Sequence, residues 1–147
     1  IMTDEGTDSV GLNAAYTTDS WSLAAAYIHD DGAKEDGTSS WGINGTYVFD
    51  ESNLPTLSAG YETQATAGTD TSGYFVGLTW PEVGPGSLSV GAATKGNFAD
   101  TATEYMIYEA SYSYPVNDGL TITPGVFIEE KSGDDLTGVI VKSSFSF

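Results

Sequence analysis

The sequence predicts an all-β fold, namely an antiparallel up-and-down transmembrane β-barrel of which about nine strands are visible. Three observations predict it. Segments of roughly 9 to 11 residues alternate between apolar and polar side chains, which is the length and period of a strand that crosses a bilayer. Short turns alternate with longer acidic loops along the chain. Charges within the segments fall on the side opposite the apolar series.

Composition restricts the alternatives. The 147 residues include no Cys, so we expect one domain, a single barrel segment over residues 1–147, without disulfides or a thiolate metal site. The net charge of -17 repels phosphate, so nucleic acid is excluded as a partner. No apolar run is long enough for a membrane-spanning helix.

The first three strands are predicted at 10–17, 20–29 and 41–49. Residues 1–8 are acidic and have no period, so they are predicted as a loop. Thr18 and Asp19 suit a tight turn, whereas residues 29–39 form a long charged loop. The predicted apolar faces carry Val10, Leu12, Ala14, Tyr16, Trp21, Leu23, Ala25, Tyr27, Trp41, Ile43, Gly45, Tyr47 and Phe49.

The next three strands are predicted at 54–64, 73–80 and 87–95. Residues 50–53 and 81–86 have turn composition. Residues 65–71 and 96–103 are polar and are predicted as the longer loops. The apolar faces of these strands carry Leu57, Ala59, Tyr61, Tyr74, Val76, Leu78, Trp80, Leu88, Val90 and Ala92.

The last three strands are predicted at 104–115, 121–129 and 136–147. The run VNDG at 116–119 is a hairpin signal, and residues 130–135 form the last acidic loop. Pro124 cannot donate a ladder hydrogen bond, so it is expected at a bulge or an unpaired position. The final strand, LTGVIVKSSFSF, alternates strictly and ends on Phe147.

Aromatic residues concentrate near both ends of the predicted strands, as expected where amphipathic rings lie at the lipid headgroups. The membrane-interface aromatics are predicted to be Tyr16, Trp21, Trp41, Tyr74, Trp80, Tyr114 and Phe147. Further members of the two belts are predicted to be Tyr27, Phe49, Tyr61 and Tyr108.

The ending ASYSYPVNDGLTITPGVFIEEKSGDDLTGVIVKSSFSF resembles the C-terminus of cyanobacterial outer-membrane porins of the carbohydrate-selective type, which are also described as iron-uptake porins. Upstream of about Glu104 the resemblance is one of general pattern. It implies a porin in the cell outer membrane, through which small hydrophilic solutes and inorganic ions, and also sugars, diffuse passively. Family members carry an N-terminal peptidoglycan-binding domain, which is expected to be absent from this chain.

Nine is an odd number of strands, whereas bacterial single-chain barrels have an even number. We therefore expect the C-terminal part of a larger barrel. The expected partners are the lipid bilayer and either the remaining strands of the same barrel or identical copies in a homo-oligomer. An eight-stranded closed barrel without the first segment is the other arrangement.

If the polar faces line a channel, their charged residues set its electrostatic field. The channel-lining residues are predicted to be Glu62, Lys95, Glu109, Glu129 and Lys142. Acidic loops would concentrate cations at the mouth, so we expect a mild cation preference.

No enzyme, cofactor or metal site is expected. His29 is the sole His, and one His cannot supply a triad or a metal site by itself, so it is predicted as a solvated loop residue. The acidic run Asp30, Asp31, Glu35 and Asp36 lacks the fixed spacing of a calcium loop. The alternative is a secreted acidic all-β module, structural or calcium- or sugar-binding, that assembles by strand pairing.

Overall fold

The computed structural model describes residues 9–31, 37–51, 53–66, 69–94 and 104–146. Within them, nine strands form one sheet in chain order, and each strand pairs antiparallel with the next. The strands are β1 (Ser9–Thr17), β2 (Trp21–Asp30), β3 (Thr38–Tyr47), β4 (Thr56–Thr66), β5 (Thr69–Val83), β6 (Gly86–Thr94), β7 (Met106–Asn117), β8 (Leu120–Glu129) and β9 (Leu136–Phe145). The predicted all-β up-and-down class is confirmed. β1 and β9 are the two edges of this sheet.

Side-chain alternation explains why these segments pair as they do. A shift of one residue would exchange the two faces of a strand, so a sheet with two different faces specifies its register strongly. The register places apolar residues opposite apolar residues: Leu12 lies opposite Tyr27, and Tyr27 lies opposite Trp41. The same apolar row continues through all nine strands, and the intervening residues form a second, more polar row.

The sheet has no hydrophobic core within the described residues, because no apolar side chain there is buried. Large apolar side chains are exposed instead, most of all on the edge strands. Val139 in β9 is 75% exposed and Leu12 in β1 is 68% exposed. Backbone pairing therefore holds the strands together, and none of the described residues covers the apolar face.

Several turns have local causes. Between β1 and β2, the Thr18 backbone N–H and hydroxyl both donate to the Trp21 carbonyl, at 2.8 and 3.0 Å. Between β5 and β6, Gly84 adopts φ 62°, a left-handed conformation that favours glycine. Between β7 and β8, the Asn117 side-chain oxygen accepts from the Gly119 backbone N–H at 2.9 Å. The two-residue turn at 118–119 confirms the hairpin predicted from VNDG.

The predicted strict alternation of short turns and long loops is wrong at two neighbouring connections. β4 and β5 are joined by residues 67–68 alone, where residues 65–71 were predicted as a loop. Threonine hydroxyls extend the pairing there, since Thr63 donates to the Thr71 carbonyl at 2.8 Å. On the other side, β3 ends at Tyr47 and not at Phe49, so the connection to β4 runs from 48 to 55. Pro55 lies immediately before β4, where its missing N–H is tolerated.

Two proline-containing segments compare differently with the prediction. β5 continues to Val83 with a register shift between Trp80 and Val83, so the turn predicted at 81–86 shrinks to residues 84–85. Pro124 lies inside β8 and pairs with Val141 of β9. The ladder to β7 is interrupted there and resumes in the same register on either side. Pro124 is therefore unpaired towards β7 only, and it forms no bulge.

Candidate functional site

The polar face of the sheet is the candidate functional surface, because the pairing register collects the strand charges on it. Gly42, Glu62 and Gly73 are direct neighbours on this face across β3, β4 and β5. Farther along the sheet, Glu109 lies opposite both Gly91 and Phe127. The face is otherwise rich in Ser, Thr and Gly, as in the row Ser22, Thr46 and Ser58.

Four of the five residues predicted to line a channel share this polar face: Glu62 in β4, Glu109 in β7, Glu129 in β8 and Lys142 in β9. Glu62, Glu109 and Lys142 are exposed. Glu129 is half-buried and lies 4.0 Å from the Lys131 Nζ. The fifth, Lys95, lies outside the described residues. The structure thus brings four charges to one face, and their role in a channel stays a prediction.

A trough of about 680 Å³ lies against β1 to β6 on the polar face. Polar and large side chains of this face line it, among them Asn13, Asn44, Glu62, Gln64 and Phe75. The other lining residues, such as Ile43, alternate along the chain with these and belong to the apolar series. The polar face is therefore the concave face of the sheet.

Phe75 and Phe127 are aromatic residues on the polar face, which also carries Ile28, Ile107 and Ile140. The prediction from sequence did not name the two phenylalanines as lining residues. Their strand positions already placed them on this side. The informative feature is their neighbours: Phe75 lies directly opposite Gly60, and Phe127 lies directly opposite Gly138. That relation depends on the pairing register, so the alternation within one strand could not reveal it.

The apolar face carries aromatic rings near both rims of the sheet. At the rim with the turn at 18–20, the rings of Tyr16 and Trp21 are 5.3 Å apart, centroid to centroid. At the opposite rim, Trp41 and Tyr61 are 5.4 Å apart, and Tyr61 lies opposite Tyr74. In three strands, two aromatic residues lie six positions apart, or about 20 Å along the strand. The pairs are Trp41 and Tyr47, Tyr74 and Trp80, and Tyr108 and Tyr114.

Two aromatic residues at the first rim were not predicted as belt members. Tyr47 packs edge-on against Phe49 with ring centroids 4.8 Å apart. The Tyr112 hydroxyl donates to the Val83 carbonyl at 2.7 Å. The six-residue spacing from Trp41 was the signal that could have identified Tyr47. Of the predicted interface residues, Phe147 lies outside the described residues, and the interfacial role of the others stays a prediction.

Polar side chains on the apolar face cluster at the rim of the connection 31–37, and they are hydrogen-bonded. His29 belongs to β2 rather than to a loop, contrary to the prediction. Its two ring nitrogens lie 2.8 Å from the Ser39 hydroxyl and 2.8 Å from the Asp31 carboxylate. Between the rims, the described apolar face carries no charged side chain.

The described part of the chain contains neither a metal-binding cluster nor a membrane-spanning helix. No group of three or more His, Cys, Asp or Glu side chains there could hold a metal ion. Glu35 and Asp36 of the acidic run lie outside the described residues. Among the residues that the structure describes, none belongs to a helix sufficiently long and apolar to cross a membrane.

Comparison with known protein families gives a match over most of the chain. A family model described as Gram-negative porin matches residues 2–135. The match includes the amino-terminal half, where the sequence pattern alone gave only a general likeness, and it ends before β9. No curated protein matches the chain.

Proposed function

Because the chain belongs to the Gram-negative porin family, we propose that it forms part of the wall of a pore for passive diffusion. Family membership gives the chain an outer-membrane location and indicates a channel rather than an enzyme. The proposed solutes are small hydrophilic molecules and inorganic ions. A closer relationship to the cyanobacterial carbohydrate-selective type, with sugars among the solutes, is proposed from the likeness of residues 110–147 alone.

The observation that carries the proposal is the separation of charge from apolar surface across nine paired strands. One face exposes Leu12, Val76 and Val139, and between the rims the strand charges lie on the opposite, concave face. A secreted module would have to bury that apolar face, and no apolar side chain is buried within the described residues. Lipid on one side and water on the other satisfy both faces.

The charges on the polar face support a mild preference for cations. Three described strand acids, Glu62, Glu109 and Glu129, face the same side as one described lysine, Lys142. The whole chain, these residues included, has a net charge of -17, which raises the cation concentration at the entrance of the pore. No residue needs to hold a cofactor for diffusion of this kind.

The edges of the sheet need partners in lipid, because unpaired backbone groups of a strand cannot be hydrated there. β1 and β9 each present such an edge in the described sheet. Further strands of the same barrel, or copies of this chain in a homo-oligomer, are the partners that we propose.

Reversal of the charge at Glu109 tests this function. The protein from its native source, with every chain that copurifies, is reconstituted in a planar bilayer under a KCl gradient, and so is Glu109→Lys. We expect discrete conducting steps from both, and a reversal potential that moves towards the anion side in Glu109→Lys. Asp118→Lys makes the same change of charge in the exposed turn between β7 and β8. It should move the reversal potential less.

Two results would contradict the proposal in different ways. A water-soluble protein without conductance would remove the pore altogether. A conducting protein in which Glu109→Lys and Asp118→Lys behave alike would keep the pore, but it would place Glu109 outside the conducting path.

A further inference from the structure

Two phenylalanine rings on the polar face lie against glycines of neighbouring strands. A Cβ atom built at Gly60 would lie 3.0 Å from both Cδ1 and Cζ of Phe75, and closer still to Cε1. A Cβ atom at Gly138 would lie 3.2 Å from Cε2 of Phe127, and again closer to two other ring atoms. Each ring therefore occupies the space that a side chain at the opposite glycine would need.

The other flank of each ring is occupied. Phe75 lies between Gly60 of β4 and Ala93 of β6, and only the glycine side lacks a side chain. Phe127 lies between Gly138 of β9 and Glu109 of β7. A ring displaced from its glycine thus has a side chain on the opposite flank, and it can move away from the sheet, over the concave face.

We infer that Gly60 and Gly138 set the calibre of the pore by letting Phe75 and Phe127 lie flat against its wall. This inference rests on the proposed function, since it assigns the concave face to the conducting path. Gly60 lines the trough together with Phe75, so a ring that turned outward from Gly60 would enter that space. The glycines are positioning residues, which act on permeation through the rings that they accommodate.

The substitution Gly60→Ala should move the ring without disrupting the strand. The clashing atoms belong to the outer part of a side chain that can rotate, whereas the backbone of Gly60 lies in a regular ladder. Staggered alternatives are available to a phenylalanine at χ1, and here the added methyl group removes the present one.

The chain offers a matched control on the same face. Gly77 lies in β5, and a Cβ atom there would meet only the Val90 carbonyl oxygen, at 3.8 Å. Gly77→Ala therefore adds the same methyl group to the wall without displacing a ring. A double variant, Gly60→Ala with Phe75→Ala, removes the ring that the methyl group would displace.

The experiment measures single-channel conductance in planar bilayers and the exclusion limit for neutral polyethylene glycols of graded size. We expect Gly60→Ala to lose conductance and to exclude smaller polymers, and Gly77→Ala to match the unsubstituted protein. The double variant should recover at least the unsubstituted conductance. Gly138→Ala should repeat the loss through Phe127, at an independent position.

The outcomes separate this inference from the proposed function. If the unsubstituted protein does not conduct, the proposed function itself fails. If it conducts but Gly60→Ala and Gly138→Ala match Gly77→Ala in both measurements, the rings have moved along the wall and the inference is wrong. If Gly60→Ala fails to insert while the double variant inserts, the pair serves folding instead of calibre, which also overturns it.

Discussion

The same strands make both faces of this sheet, yet the two faces carry different kinds of residue. The apolar face carries aliphatic residues between two rims of Tyr and Trp. The polar face carries hydroxyls, the strand charges that lie between the rims and most of the strand glycines: Gly11, Gly42, Gly60, Gly73, Gly77, Gly91, Gly125 and Gly138. By contrast, Gly45 is an apolar-face glycine in β3.

The difference in glycine content follows from curvature and from what each face contacts. Side chains on the concave side of a curved sheet converge, so small residues relieve crowding there. Large residues are still accommodated when a glycine lies beside them: the Glu62 carboxylate would be 3.4 Å from a Cβ atom at Gly73. The outer face diverges and meets lipid, so bulky apolar side chains can be placed side by side on it.

The largest expected effect comes from placing the same charge on each face in turn. Ala110 and Ser111 are adjacent in β7, are both half-buried and point to opposite faces. Ala110→Lys puts an ammonium on the apolar face between Tyr108 and Tyr114, two residues from Tyr108. We expect a loss of folding free energy that approaches the value of about 2 to 4 kcal/mol for lysine at the bilayer midplane. Urea unfolding in lipid vesicles measures it.

Ser111→Lys is the matched control for this prediction. Its lysine would project over the concave face, where water can solvate it, so stability should change little and the reversal potential should move towards anions. Equal destabilisation by the two substitutions would mean that both faces meet the same medium, and the assignment of lipid and water to the faces would fail.

A smaller effect is expected at the rim of the apolar face. Tyr16 and Trp21 form a tilted ring pair between β1 and β2. Tyr16→Ala, Trp21→Ala and the double variant form a thermodynamic cycle in which each free energy of unfolding is measured in vesicles. We expect a coupling energy of about 0.5 to 1.5 kcal/mol.

The cycle also distinguishes contact from anchoring. Strictly additive losses would mean that each ring interacts with headgroups independently of the other. Coupling with no loss of membrane affinity in either single variant would make the pair a strand contact and not an interface anchor.

The strands and their faces could be predicted from alternation alone, because one residue of shift would exchange every side chain between lipid and water. The connections could not. Residues 65–71 have the Thr, Gly and Asp content of a loop, but the hydroxyls of Thr63 and Thr71 bond across the hairpin and extend both strands. At 48–55, Val48 and Phe49 look like strand residues, but pairing between β3 and β4 ends at Tyr47 and Leu57.

The candidate site was predictable to the level of a face and no further. Alternation within a strand gives the side of Glu62 or Phe127, but the residue across the ladder comes from the register. Gly138 lies opposite Phe127 only because β8 and β9 pair as they do. The sequence of one strand therefore predicts the face on which a charge lies. The space available to an aromatic ring also depends on the residue opposite it in the neighbouring strand.

The smallest expected effect concerns a hydroxyl on the apolar face. Thr63 donates to the Thr71 carbonyl at 2.8 Å, across the β4–β5 hairpin. Thr63→Val keeps the shape and removes that hydrogen bond, whose net contribution to stability is typically about 0.5 to 1.5 kcal/mol.

Thr137→Val makes the same replacement on the same face of β9, where the described residues offer the Thr137 side chain no hydrogen bond. The difference between the two unfolding free energies in vesicles isolates the bond. We expect Thr63→Val to be the less stable variant, because of the two substitutions only this one removes a hydrogen bond between strands. Equal stabilities would mean that water reaches the Thr71 carbonyl, so that the lipid-facing band would end below this rim.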